Sequence, residues 1–476
     1  MGRKKSASEN INELITQYET SKAENRLCYL DGDQFADIVC QYIFENKIQE
    51  AQEAINYGLY IHPNNIDILI EQAYLYLDTQ RLQLAEEIAD SIIEDYSVEV
   101  KLLKAEILLH KGKLKAVQEL LNTINDQIDL DVIISIAYLY MDMGYPEEAR
   151  IWLEKGKEQY GNEEDFLVVS VDYLLATHQY SSAVDLYNQL IDLNPYNSSY
   201  WIGLSKCHFV EDNIEEAIED CDFALTADEQ YGEAYAHRAH CYFYIGNPEK
   251  AIDDYKKAIK YKGIAPQVGY WLIGMVYQDQ EQWEKAETYF KESIQIYLEK
   301  EETDPFIAEV YTHTAEVLLR QNKPDEAYEM CQKALQIEPD LSNVALIKGE
   351  IFLKKRQYEK AFDTFTNILN DSQDPEKWYD IGLIYEEAGE FNRSMFFYNK
   401  VYEIDPDYNN VSGKLAVICL AEGDMENFLK YNRMARYPIS SQVISQVLSD
   451  QTNLSQVATE LLKKMQKQIE KRDNNQ

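Results

Sequence analysis

The chain has 476 residues and carries 45 Lys and Arg against 84 Asp and Glu, a formal net charge of −39. The acid is spread throughout, with 15 basic against 35 acidic residues in positions 1–200 and 30 against 49 in the rest; such a field repels phosphate backbones and anionic lipids, argues against nucleic-acid and membrane-surface binding, and favours a basic or neutral partner. With only 18 Gly and 11 Pro but 12% aromatic residues, mostly the 37 tyrosines, the chain is short of turns and well supplied with apolar surface, which argues against several loop-rich globular domains and against disorder away from the ends.

At the N-terminus, MGRKKS fits the myristoylation pattern M-G-x-x-x-S, with a disordered start as the default expectation. Ser6-x-x-Glu9 is a capping-box signal for a helix with Ile11, Leu14, Ile15 and Tyr18 on one face, so residues 1–31 read as an N-terminal capping helix. No apolar leader and no stretch of 18 uncharged residues is visible, so neither a signal peptide nor a membrane span is expected. The seven cysteines are scattered and never form C-x-x-C, which fits a reducing compartment and a cytoplasmic protein.

From residue 32 to residue 436 the chain repeats. Ala51, Ala85, Ala116, Ala149, Ala183, Ala217, Ala251, Ala286, Ala327, Ala361, Ser394 and Phe428 recur at intervals of 31 to 35 residues, with one interval of 41 between Ala286 and Ala327. Each usually follows a second small residue twelve positions earlier, such as Ala73, Ala137, Ser205, Ala239, Gly274, Ala315, Gly349 or Gly382. Two helices per unit follow from this spacing. Around Gly382, for example, Trp378, Ile381 and Tyr385 share its face of a first helix, Ser394, Tyr398 and Val401 share the matching face of a second, and Pro406 ends it. Small residues let two helix backbones approach, and the rings beside them fill the remaining space. The unit near Ala105 is shortened, and the 41-residue interval is expected to add two turns of helix. Beyond the last unit, residues 437–476 read as C-terminal capping helices, with Val457, Leu461, Leu462, Met465 and Ile469 in an apolar stripe, Lys463, Lys464 and Lys467 beside it, and a frayed tail after Lys471.

The units resemble the tetratricopeptide repeat. Its pattern W-x2-L-G-x2-Y…A-x3-F…P is matched by Trp378-x2-Ile381-Gly382-x2-Tyr385…Ser394-x3-Tyr398…Pro406. The expected fold is an all-α solenoid (superhelix) of about twelve such hairpins between helical caps, because one hairpin cannot bury its own apolar face. The resemblance implies that first helices line a concave groove. At about 100° per residue, side chains one and five positions after the small residue leave the packing face and form that groove face. It therefore includes Tyr74, Asp78, Tyr138, Asp142, Asp172, Lys206, His240, Tyr244, Met275, Asp279 and Glu387. Trp271 joins them because Tyr270 takes the packing role, leaving the indole to face the groove or the next hairpin. Lys206, His240, Tyr244, Trp271 and Met275 make a mixed patch of the composition found at binding hot spots.

The function expected is non-catalytic: a scaffold or adaptor that binds basic or apolar segments of other proteins, the alternatives being a structural subunit of a larger complex or a peptide receptor near Lys206 to Met275. The Lys, Arg and Asn set with which one branch of the family grips acidic C-terminal tails is missing, and Arg320 and Lys354 are expected to pair with Glu316 and Glu350 in their own helices. His237, His240 and Cys241, with His208 one repeat earlier, are the strongest metal candidate, but packing is the favoured role and no cofactor or metal is expected. Asp405-x-Asp407-x-Asn409 begins like a calcium loop, yet Asn410 replaces the turn glycine and Ala416 stands where a bidentate Glu is required. No phosphate-cradling loop, G-x-S-x-G or H-E-x-x-H occurs.

Overall fold

A computed structural model describes residues 11–439 apart from 25, 94–96, 125–127, 300–303, 340 and 370–371. The Ser6-x-x-Glu9 cap signal, the MGRKKS start and the Val457–Ile469 stripe lie outside the described residues. Those residues form 25 α-helices and one single-turn 3-10 helix, with no strand among them. They belong to two compact units, divided between Ile245 and Gly246.

The N-terminal unit begins with Ile11–Ala23, whose Tyr18 is buried against Phe35 of the next helix. Helical pairs follow: Gly32–Phe44 with Ile48–Ile61, Ile66–Asp78 with Leu82–Ser91, Val98–His110 with Leu114–Leu121, Leu130–Asp142 with Pro146–Tyr160, Glu164–Ala176 with Tyr180–Leu193, and Ser198–Val210 with Ile214–Ala227, ending on Gly232–Tyr244. The C-terminal unit opens with Pro248–Lys260 and continues as Pro266–Asp279 with Trp283–Glu299, Ile307–Arg320 with Pro324–Ile337, Ser342–Lys354 with Tyr358–Leu369, Pro375–Glu387 with Phe391–Ile404, and Val411–Glu422 with Met425–Met434. In both units a first helix packs on its own second helix, which in turn packs on the next first helix, the short Leu114–Leu121 making the weakest such contact. This nearest-neighbour stacking is the α-solenoid arrangement, with a core strung along the stack.

The alanine register coincides with the packing except at Ala116, which is half-buried while its neighbour Val117 takes the fully buried position. Ala51, Ala85, Ala149, Ala183, Ala217, Ala251, Ala286, Ala327 and Ala361 are all fully buried, and so is Phe428, which fills the space of the missing alanine in the last pair. Where the first helix carries glycine, the second presents a ring: a Cβ on Gly274 would come within 2.5 Å of Phe290, one on Gly382 within 2.5 Å of Tyr398, and one on Gly349 would run into Phe365. Where it carries Ser205, the facing residue is the small Cys221, with Oγ and Sγ 3.2 Å apart. A glycine on one helix thus admits a ring on the other, whereas Ser205 and Cys221 meet as two small residues. Hydroxyls inserted in this seam find carbonyls: Ser394 Oγ donates to Gly382 O at 2.8 Å, and Ser205 Oγ to Ala217 O at 2.6 Å.

The turn within each pair has one conformation. In the Gly32–Ile61 pair, Asn46 adopts φ of 58°, its N–H bonds Ile43 O, and Lys47 N–H bonds Tyr42 O. That is the Schellman pattern, which satisfies the last carbonyls of the first helix. Gln80, Gly112, Gly144, His178 and Asp212 repeat it in the N-terminal unit, as do Glu281, Asn322, Arg356, Gly389 and Gly423 in the C-terminal unit. Many of these residues are not glycine, so the sequence did not advertise the turn.

Two irregular units differ in degree. Leu114–Leu121 is only eight residues long, the expected shortening. Trp283–Glu299 runs 17 residues against 14 in Pro324–Ile337, so the 41-residue interval lengthens the helix by about one turn among the described residues rather than the two expected. Glu287 on that helix instead ties the pair to its successor, binding Lys323 at 3.0 Å and Gln321 at 2.8 Å, and pairs with Lys291 of its own helix at 2.6 Å.

Candidate functional site

The residues expected on the groove face sit on first helices whose start is fixed by caps and whose roll is fixed by the buried small residue. Asn65 accepts from Ile68 N–H, Asp129 from Val132 N–H and Asn197 from Ser199 N–H at three of these starts. Ala73, Ala137, Ser205 and Ala239 then face inward with no exposure, which turns the next residue and the fifth away from the seam.

In the N-terminal unit Asp78, Asp142, Lys206, His240 and Tyr244 are exposed, while Tyr74, Tyr138 and Asp172 are half-buried. Tyr138 and Asp172 stand one repeat apart, and Tyr138 Oη donates to Asp172 Oδ2 at 2.5 Å. Burial together with that carboxylate holds the Tyr138 phenol above its ordinary pKa, so it remains a donor at any physiological pH. Lys206 Nζ reaches forward to Glu233 Oε1 at 2.7 Å. Tyr244 Oη reaches back to Asp212 Oδ1 at 3.2 Å, and Asp212 is the left-handed turn residue of the preceding pair. The Tyr244 ring meets Phe209 edge-on at 5.4 Å, with His240 at 5.0 Å and His237 at 5.7 Å from the same Phe209 ring. The structure thus brings His240 and Tyr244 together around Phe209, a ring absent from the expected set although it occupies the position just before Val210.

In the C-terminal unit Asp279 and Glu387 are exposed, and Met275 is half-buried against the core below it. Trp271 takes the second of its two expected orientations, toward the next hairpin. Its indole meets Phe306 edge-on at 4.9 Å and lies 5.9 Å from His313, and its Nε1 is buried with no hydrogen-bond partner among the described residues. Arg320 corrects an expectation. Its guanidinium pairs with Glu350 of the following first helix at 3.6 Å rather than with Glu316, which accepts from Gln278 Nε2 at 3.0 Å. Polar groups on this face are therefore linked from hairpin to hairpin, a pattern visible in the sequence only as separations near one repeat.

The candidates for chemistry are engaged in packing. His208 Nδ1 bonds Asp220 Oδ2 at 2.7 Å, and Cys241 is wholly buried. No three His, Cys, Asp or Glu side chains gather as a metal site among the described residues. Burial pushes the Cys207 thiol up to about 11 and that of Cys241 to about 12, so both are protonated near neutral pH. Asp405 Oδ1 accepts from Asp407 N–H at 3.0 Å, closing the linker after Pro406 on itself. No described helix is long and apolar enough to cross a membrane.

Sequence models of the tetratricopeptide repeat match residues 130–161, 170–232, 232–262, 268–339 and 376–408. A TPR repeat-containing protein of Methanocaldococcus jannaschii is 22% identical over 235 residues, covering 48% of this chain and 41% of that protein. Anaphase-promoting complex subunit 7 of Dictyostelium discoideum is 20% identical over 231 residues, covering 48% of this chain and 38% of the subunit. The chain thus spans less than half the length of these two relatives. Among solved structures, a tetratricopeptide repeat protein from Parabacteroides merdae matches with a TM-score of 0.40 and 16% identity, covering 55% of this chain and 97% of that one. With the buried alanine register, the Gly-to-ring seams and the matched segments in both units, the chain is a tetratricopeptide repeat protein.

Proposed function

We propose that the chain is a non-catalytic scaffold or adaptor that holds segments of other proteins against the groove face of its first helices, with residues 1–31 and 437–476 as terminal segments outside the repeat array. One observation carries this reading. Tyr244 is 61% exposed, yet its ring is seated on Phe209 and its hydroxyl is fixed by Asp212, so it is an ordered aromatic side chain left largely uncovered among the described residues. Anchors of this kind, pre-organised and amphipathic, dominate binding energetics. The acids Asp78, Asp142 and Asp172 occupy the same face, while Lys206, one of its few cations in this unit, is spent on Glu233. The segment that fits carries Lys or Arg beside an apolar or aromatic residue, with charge setting the approach and the anchor setting the lifetime. The free, mostly buried cysteines support a reducing compartment such as the cytoplasm.

Affinity purification from the native cell, followed by titration of the co-purified protein at two salt concentrations, tests the reading. The expected result is a protein ligand whose affinity falls as salt rises. A ligand with an acidic binding segment, or affinity indifferent to salt, would overturn it.

A further inference from the structure

We propose that the basic amphipathic segment following Ile439 lies along the groove face of the C-terminal unit as an intramolecular ligand, its apolar stripe on Leu383 and its lysines on Glu387, Glu350 and Glu316. The described chain already turns that way. After the helix Met425–Met434, Ile439 packs on Val417, against which Ala421 and Phe391 also pack. Val417 and Ala421 are the residues one and five after the small Ala416, the groove-face positions of the last pair, and Val417 is wholly buried. Asn432 clamps the incoming backbone: Ile439 N–H donates to its Oδ1 at 2.6 Å, and its Nδ2 donates to Ile439 O at 3.1 Å. A further bond from Arg436 N–H to Asn410 Oδ1, at 2.7 Å, holds the turn that leads there. The chain is thus delivered onto the groove face of the last pair.

The next positions on that face suit a basic segment with an apolar stripe. One repeat back stand Leu383 and Glu387, then Glu350 with Lys354, then Glu316 with Arg320. Burial raises the Glu350 carboxyl above its usual range, Arg320 opposes the rise, and the like charges of Glu316 and Glu387 add to it. A cation placed among these three carboxylates relieves their mutual repulsion. Residues 440–476 hold five basic against four acidic residues in a chain whose net charge is −39, with Lys463, Lys464 and Lys467 flanking Leu461, Leu462 and Met465. As a helix, residues 457–469 would be about 20 Å long. That length crosses two or three first helices at interaxial spacings of about 8–10 Å, and 440–456 supply the connection. The segment would then compete with an external partner for this unit, a consequence that rests on the groove reading, whereas the placement does not.

The test uses the full chain, mixed in equal parts from unlabelled and nitrogen-15-labelled protein, treated with a zero-length carbodiimide cross-linker and read by mass spectrometry. Links from Lys463, Lys464 or Lys467 to Glu387, Glu350 or Glu316 within one isotopic species are expected. Links only to Glu426 on the outer helix, links only between labelled and unlabelled copies, or no links from these lysines would each overturn the proposal. In a second arm, the full chain carrying Lys463→Glu, Lys464→Glu and Lys467→Glu should show carbodiimide-driven labelling of Glu387 by a small amine several-fold faster than the parent; an unchanged rate would overturn the proposal. If the links form and labelling accelerates but affinity for the external partner is the same in both proteins, the placement stands, and the groove of this unit is not where that partner binds.

Discussion

The two units meet the same packing requirement with different residues. In the C-terminal unit Gly274, Gly349 and Gly382 admit Phe290, Phe365 and Tyr398, so the second helix supplies the volume that the first gives up. In the N-terminal unit Ser205 faces Cys221, and Ala73 shares its core with Ala89, so both helices contribute little and approach on equal terms. The first arrangement fills the seam with a ring, and the second brings two small side chains together. The C-terminal unit also buries a charge. Lys414 is 1% exposed, its Nζ lies 2.8 and 3.1 Å from the Glu386 carboxylate, and Tyr398 Oη donates to the same carboxylate at 2.7 Å. Its counterpart among the N-terminal first helices, Lys206 with Glu233, is about half exposed at both ends.

That contrast sets the largest expected effect. Glu386→Ala strands the Lys414 ammonium without its counter-ion and should cost roughly 3–5 kcal/mol, whereas Glu233→Ala should cost about 1 kcal/mol or less, because solvent screens an exposed pair. Denaturant titrations of the two variants measure the difference; equal losses would show that the Lys414 site is not behaving as a buried pair.

The next effect belongs to the N-terminal unit. Burial lowers the His237 pKa from 6.5 to about 4, so the unfolded chain takes up a proton that the folded one refuses. The associated stability is fully present above pH 6.5 and is lost as pH falls toward 4, on the order of 3 kcal/mol in total. His237→Gln should flatten the stability profile across that window, and a profile identical to the parent's would contradict the assignment.

Enlarging the seam comes third. Gly382→Leu drives its side chain into the Tyr398 ring and should destabilise by about 1–3 kcal/mol, while the paired change Gly382→Ala with Tyr398→Leu should recover part of the loss if volume is what the seam conserves. Melting curves of the single and double variants decide this. The smallest effect is a gain. Glu281 holds φ of 56° in the turn of the Gly274 pair, and Glu281→Gly should stabilise by about 1 kcal/mol by removing the left-handed strain of a side chain. The same change at Gly389 or Gly423 has already been made by the sequence, which is why Glu281 rather than either of them is the informative site.

The seam was legible in the sequence because a small residue every 34 or so positions is a statement about backbone approach, and the expected groove-face positions came from helix geometry once the resemblance implied that first helices line a groove. What was not legible depended on distances between helices. Arg320 had Glu316 four residues away in its own helix, yet the following first helix brought Glu350 to it, and no sequence spacing reports that inter-helix gap. Trp271 had two orientations open to it until Phe306, inside the irregular 41-residue interval, came over its ring. The turns hid because Gln80, His178, Asp212, Glu281 and Arg356 adopt a glycine conformation without being glycine. Phe209 was overlooked for a simpler reason. It occupies neither of the two positions assigned to the groove, although a large side chain immediately before the second of them is wide enough to carry its neighbours.

Partners, in this reading, are held on the groove face by an ordered aromatic anchor within an acidic field. Titrating the co-purified partner against the parent chain, Tyr244→Ala and Asp142→Lys at low and high salt, with a thermal melt of each, tests this most directly. Tyr244→Ala should weaken binding by at least about tenfold, in keeping with the roughly 2 kcal/mol typical of an anchor. Asp142→Lys should weaken binding chiefly at low salt, and both melts should stay within a few degrees of the parent. Unchanged affinity in both variants, with the protein folded, would contradict this and move the binding surface off the first helices.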